Sequence, residues 1–310
     1  MQQTTETILM VRPVNFRKNE QTAVNNYFQE DMSLKNTEIN TKAQEEFDGF
    51  VKKLRAVGIN VIVVSDDVLM DTPDSIFPNN WVSFHSNGDV AIYPMFAENR
   101  RLERRDEIFM KLEEAGFRIE NIVDYTSAEE EGIFLEGTGS ILMDRVNQKA
   151  YCALSPRADE ELFIEFCEDF EYFPVIFNAY QTVNGERLPI YHTNVVMCLA
   201  ENFTVICLNS IDDKKERKNV IKHLKQTNKE IISITEEQMH LFAGNMLQLR
   251  GENDQRYLVM SGTAHKSLSK DQIKKIEKYC PIISSSLDTI ETCGGGSARC
   301  MMAEVFLPKH

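Results

Sequence analysis

The order of apolar and polar positions along the chain repeats in shape but not in letters. Four stretches each read as strand, tight turn, strand, helix and strand. The first begins WVSFH at Trp81, turns through SNGD and continues as VAIYPM, with Asn87-Gly88 as a strong hairpin signal. Arg100 to Ala115 is charged, with Leu102, Ile108, Phe109 and Leu112 at helical spacing and Gly116 as a stop, and FRIENIV follows as a strand. The second stretch runs SILMD, RVNQ, KAYCAL, a helix from Asp159 to Phe170, and FPVIF. The third runs NVVMCL, AEN, FTVICL, a Lys-rich helix from Lys214 to Gln226, and EIISI. The fourth runs NMLQLR, GENDQ, RYLVMSG, a helix from Ser269 to Tyr279, and PIISS.

The N-terminal part supplies the strand ILMVR, helical material up to Val57 and the strand INVIVVS, but no hairpin partner. The unmatched segment is at the far end, MMAEVFL from Met301 to Leu307. Pairing it with ILMVR completes a fifth unit and closes a ring, which removes the exposed edges an open array would keep. The expected fold is therefore α/β, one domain over residues 1–310, with five ββαβ units about a pseudo-fivefold axis. A doubly wound parallel sheet is the competing reading. It does not require a hairpin ahead of each helix. No low-complexity segment or linker interrupts the chain.

Composition narrows the function. The 310 residues carry 34 Lys+Arg against 48 Asp+Glu, a formal charge of −14, with no clustered basic face. Nucleic acid and anionic membrane are poor partners for such a chain. No apolar run reaches the roughly 18 residues of a membrane span, and Met1 to Glu6 does not read as a signal peptide. Seven cysteines without CxxC spacing argue against a disulfide framework and a zinc cage. A cytoplasmic protein without metal or cofactor is expected, and its oligomeric state stays open.

Two glycine-rich stretches stand out: LEGTGS at Leu135 to Ser140 and CGGGSARC at Cys293 to Cys300. Neither fits a phosphate loop or a dinucleotide fingerprint. Cys300 lies between the second stretch and the closing strand. Cys152, Cys198 and Cys207 fall in apolar strand runs and Cys167 on the apolar face of a helix, as buried small hydrophobes do. Cys280 and Cys293 are ambiguous. A nucleophilic Cys needs a base and an orienting group. His192 begins a strand at the position that Glu136 holds in the preceding unit, and in a ring such positions converge. Glu136, between Leu135 and Gly137, needs a partner if buried, and a protonated His192 would be one. His223 and His240 read as polar helical surface, and His265 as a small loop.

The segments PDSIFPNNW, NRRLERRDE, FLEGTGS, SPRAD, YHTNVV and GGGSARCMM, over nearly the whole chain and in order, resemble the guanidino-modifying enzyme superfamily. Its arginine deiminases, dimethylarginine hydrolases, succinylarginine dihydrolases, amidinotransferases and citrulline-utilisation hydrolases are the relevant members, the last most similar. The resemblance implies a five-bladed α/β propeller (the pentein fold), with Cys300 as nucleophile, His192 as general acid/base and Glu136 as orienting carboxylate. It gives Arg157 a grip on a substrate carboxylate, helped by Arg100 or Arg101. Deiminases carry Asp where this chain has Asn80 and Asn194. A carboxylate matches the two N–H donors of a guanidinium edge, whereas a carboxamide suits a neutral ureido group. The expected substrate is a small arginine-derived amino acid, with citrulline ahead of arginine or methylarginine. The expected reaction is C–N hydrolysis through a covalent Cys intermediate. Amidino transfer and a non-catalytic binding role are the other readings.

Overall fold

The computed structural model describes residues 2–310. Five three-stranded sheets share one design, in which the middle strand pairs antiparallel with one neighbour and parallel with the other. They comprise Val82–Phe84, Asp89–Ile92 and Asn121–Asp124; Ile141–Asp144, Lys149–Leu154 and Phe173–Asn178; and Met197–Leu199, Phe203–Ile206 and Glu230–Ser233. Leu247–Arg250, Arg256–Ser261 and Ile282–Ser285 make the fourth. In the fifth, the two ends of the chain meet as expected: Thr7–Arg12 lies parallel to Asn60–Ser65 and antiparallel to Ala303–Glu304, with Ile8 opposite Glu304 and Leu9 opposite Ala303. Middle strands such as FTVI are buried throughout, as strands covered on both faces must be.

A helix links the second and third strands in each case, and its ends are set locally. The Asp213 side chain accepts from the Lys215 and Glu216 amides to start Lys214–Gln226, and Ser269 with Gln272 forms a capping box for Lys270–Glu277. The largest apolar cluster runs from Leu142 through Met197 and Val205 to Leu258 and Ile276, so it joins elements of three sheets.

Four expectations need correction. The helix read from Arg100 to Ala115 is two, Glu98–Arg101 and Asp106–Glu114. Leu102 is 46 % exposed, while Arg100 and Glu103 are buried as a pair. Seating that pair breaks the helical phase that Ile108 and Leu112 keep. The strand read from FRIENIV covers only Asn121–Asp124, and that read from MMAEVFL only Ala303–Glu304. His265 lies on the short helix Gly262–Ser267, not in a loop. An unforeseen hairpin pairs Tyr180–Val183 with Glu186–Pro189. Its Asn184-Gly185 turn, with both residues at positive φ, was legible as a hairpin signal.

One feature of the repeat positions the site. Each first strand is preceded by a tight, buried turn: Pro78–Asn80, Gly137–Ser140, Thr193–Val196, the segment 242–246 and the segment 295–302. Among the described residues, no helix is long and apolar enough to cross a membrane, and no group of three His, Cys, Asp or Glu is placed to hold a metal ion.

Candidate active site

Three of those junctions contribute Asn80, His192 and Cys300 to a small, nearly filled cavity, which Asp74, Arg100 and Arg157 also wall. Cys300 is 3 % exposed. It ends a turn closed by its own amide on the Ser297 carbonyl at 3.0 Å. The other six cysteines are free and buried. Burial pushes the Cys167 and Cys198 thiols up to about 12, and raises those of Cys152, Cys207, Cys280 and Cys293 too.

Glu136 and His192 are in contact, Oε2 to Nε2 at 2.7 Å. The other carboxylate oxygen accepts from the Phe96 amide at 3.1 Å. Two glycines of the LEGTGS stretch make this packing possible. Gly137 has φ +40°, and a Cβ on it would lie 2.8 Å from the Asn80 carbonyl oxygen. A Cβ on Gly139 would lie 2.8 Å from His192 Nδ1 and closer still to Asn80 Nδ2. Glycine here serves close approach of side chains, not nucleotide binding.

The electrostatics correct one expectation. Burial alone would raise the Glu136 carboxyl, but Arg157, the His192 hydrogen bond and Arg100 outweigh it and hold it at about 2. Burial pushes His192 down to about 4 against the pull of Glu136, and Arg157 and Arg100 push the same way. The resting pair is therefore a carboxylate and a neutral imidazole. Glu136 takes its positive partner from Arg157, whose Nη1 lies 3.5 Å away. Because Glu136 is ionised, His192 Nε2 carries the proton it shares, and Nδ1 presents a lone pair.

Both arginines are almost wholly buried and largely engaged by the protein. Arg157 donates from Nε to Asn25 Oδ1 at 2.9 Å and from Nη2 to the Thr22 carbonyl at 2.9 Å and to Asn25, while Nη1 faces Glu136 Oε2 at 3.5 Å. Arg100 forms a two-pronged pair with Glu103, both contacts at 2.9 Å. It also donates from Nη1 to Asn80 Oδ1 at 2.7 Å. Arg101 does not line the cavity; it donates to the Met95 carbonyl at 3.1 Å and lies 3.5 Å from Glu129.

The two asparagines do different things. Asn80 gives its oxygen to Arg100, so its Nδ2 points back toward Asn79 Oδ1 (3.1 Å) and the Gly139 side of His192. Asn194 faces the sulfur instead, with Nδ2 at 3.5 Å from Cys300 Sγ. Two residues escaped the sequence reading. Asp74, within PDSIFPNNW, binds Asn19 and Thr22 through Oδ2 at 2.8 and 3.1 Å, while its buried Oδ1 has no partner. Such an oxygen on a cavity wall is an open acceptor for a cation. Asn245 donates to Cys300 Sγ at 3.3 Å. It occupies in the fourth unit the junction that marked Glu136 and His192, so the same rule could have found it. A wider groove, lined in part by Phe28, Gln181 and Phe242, contains none of these groups.

Solved structures share this fold. The apo arginine dihydrolase ArgZ of the cyanobacterial ornithine–ammonia cycle is 17 % identical at a TM-score of 0.73, over 98 % of this chain and 41 % of its own. The N-terminal domain of ArgZ, bound to substrate, is 16 % identical at 0.71 over 97 % and 99 %. A dimethylarginine dimethylaminohydrolase variant carrying an adduct of S-methyl-L-thiocitrulline is 16 % identical at 0.61 over 97 % and 99 %. The chain thus spans about two-fifths of full-length ArgZ. No curated protein matches. The family model described as N,N dimethylarginine dimethylhydrolase, eukaryotic, matches residues 12–307, a span that takes in all of the cavity residues above. By that match the chain belongs to the dimethylarginine dimethylhydrolase family, within the pentein superfamily of guanidino-modifying enzymes.

Proposed function

We propose that the protein hydrolyses the C–N bond at the ureido or guanidino end of an arginine-derived amino acid, with citrulline favoured. The observation that carries this reading is the set of uncharged carboxamides at the reacting end. Asn80 offers an N–H beside His192, and Asn194 and Asn245 offer theirs to the sulfur. An N–H donor meets the oxygen of a ureido group and has nothing to accept from a guanidinium edge.

In this reading His192 Nδ1 takes the Cys300 proton, and the thiolate attacks the central carbon. The C–N bond breaks, the departing amine leaves with the proton held on His192, and a thiocarbamoyl group stays on sulfur. Water then attacks that carbonyl, His192 takes its proton, and the S–C bond breaks. The carbamic acid loses carbon dioxide, so citrulline and water become ornithine, ammonia and carbon dioxide. Glu136 stabilises the imidazolium that forms in each half. The family match and the likeness to arginine dihydrolases support a second reading, in which the guanidino group of arginine or a methylarginine enters and a thiouronium forms instead. The five like sheets, with the two chain ends paired in the fifth, support reading them as blades of a closed five-bladed ring in one domain.

Asn80→Asp tests the choice of group. The unmodified protein is expected to show a higher kcat/KM for citrulline than for arginine, and the variant to shift that ratio toward arginine by about tenfold or more, since a carboxylate attracts the guanidinium and repels the ureido oxygen. Asn194→Asp would instead set a carboxylate against Cys300 and lower both rates. Arginine turned over faster than citrulline by the unmodified protein would replace the ureido reading with the guanidino one.

The α-amino acid end has its own test. Asp74 Oδ1 is proposed to take the ammonium, and Arg157, through the Nη1 that also faces Glu136 at 3.5 Å, the carboxylate. Asp74→Asn should raise KM about 10- to 100-fold with kcat nearly unchanged, the size of one charge-assisted pair. Arg157→Ala should raise KM and also lower kcat, because it strips Glu136 of its positive partner. An unchanged KM in Asp74→Asn, measured on substrates with a free α-amino group, would move the ammonium site elsewhere.

A further inference from the structure

We infer that Asn245 holds the Cys300 thiolate, as one of two carboxamide donors aimed at the sulfur. This rests on the reading of Cys300 as the nucleophile. The Asn245 carboxamide cannot turn over, because the Arg299 amide donates to its Oδ1 at 2.9 Å. That bond directs Nδ2 toward Cys300 Sγ at 3.3 Å and the Asn194 carbonyl at 3.1 Å. Asn194 Nδ2 supplies the second donor at 3.5 Å, and Asn245 fixes the backbone that carries it. Asn245 is wholly buried, so water does not compete for either N–H.

The need for such donors follows from the charges around the site. His192, Tyr191, Asp74, Arg100 and Arg157 face Cys300 across the cavity. On the Cys300 side, Arg299 turns its guanidinium to the Met302 carbonyl and Glu304, and Glu291 is bound by Ser297. His192 rests neutral, Arg100 is paired with Glu103, and Arg157 with Glu136. None of these charged or titratable side chains is hydrogen-bonded to the sulfur, whereas the Asn194 and Asn245 carboxamides are. Hydrogen bonds to a charged acceptor are the stronger kind, and low local dielectric raises their effect further.

The test is the rate of iodoacetamide alkylation at Cys300 against pH, followed by mass spectrometry without any amino-acid substrate. In Asn245→Ala the midpoint should move up by about one to two pH units, so labelling near pH 7 falls about 10- to 100-fold and recovers in alkaline solution. The pH profile of kcat/KM should move with it. An unchanged midpoint, or labelling depressed equally at every pH, would mean that Asn245 only shapes the turn, and would overturn the proposal. Asn245→Asp keeps the shape and the Arg299 contact but sets an acceptor against the sulfur, and should move the midpoint further. If neither variant folds, the side-chain amide resonances of Asn245 in the unmodified protein decide. They should shift with the alkylation midpoint and stay still in Cys300→Ala; no shift in the unmodified protein overturns the idea. Because alkylation needs no substrate, failure to hydrolyse citrulline or arginine sinks the proposed reaction and leaves this result standing.

Discussion

Cys300→Ser should give a folded protein that turns over neither citrulline nor arginine, with activity at least 10³-fold below that of the unmodified enzyme. The change removes little volume from a fully packed turn, so stability should shift by less than about 1.5 kcal/mol. The loss comes from chemistry: a serine hydroxyl stays protonated where a thiol ionises, and the neutral His192 is a weak base for it. A thiol-reactive amidine should label Cys300 in the unmodified protein and nothing in the variant. The other six thiols are buried and pushed upward, which leaves them poor nucleophiles at neutral pH. Residual turnover above a few per cent, or a trapped adduct on another cysteine, would remove Cys300 from the mechanism.

His192→Gln should cost on the order of 10²- to 10⁴-fold in kcat, the usual worth of a positioned acid/base. The same variant reads the resting charge of the pair through stability. In the folded protein His192 titrates at about 4, whereas in the unfolded chain it titrates near 6.5. Between those values the unfolded state binds the extra proton, so stability falls as pH is lowered from about 6.5 to 4, by up to about 1.4 kcal/mol per pH unit for this group. His85, pushed well below 6.5 by burial, adds a slope of the same sign. Glu136 adds one too, but lower, as pH falls from about 4.5 toward 2. Urea unfolding at pH 6.5, 5.5 and 4.5 should therefore show a shallower pH dependence in His192→Gln than in the unmodified protein. An imidazolium resident on Glu136 would reverse the sign, with the unmodified protein losing stability as pH rises above 6.5. That outcome would restore the preformed ion pair.

The sequence by itself determined the repeating sheets and the pairing of the chain's two ends, and it singled out Cys300, His192 and Glu136 as candidates. These are legible because burial on a strand or helix is a local periodicity, and because repeated units put equivalent junctions in equivalent places. Resemblance to a known superfamily then named their expected roles. The tertiary structure decided charge state and orientation. His192 rests neutral because burial and two arginines act on it, and those arginines lie 35 and 92 residues away along the chain. Asn80 and Asn194 look interchangeable as letters, yet Arg100 turns one toward the cavity while the other meets the sulfur. Arg157 reads as a substrate grip, but most of its donors are taken by Thr22 and Asn25, from a segment more than 130 residues earlier. Asp74 carries no local signature, and Asn245 only that of its place at a repeat junction. What makes each of them chemical is an unpartnered oxygen or a sulfur 3.3 Å away, and only the packing of distant segments brings those about.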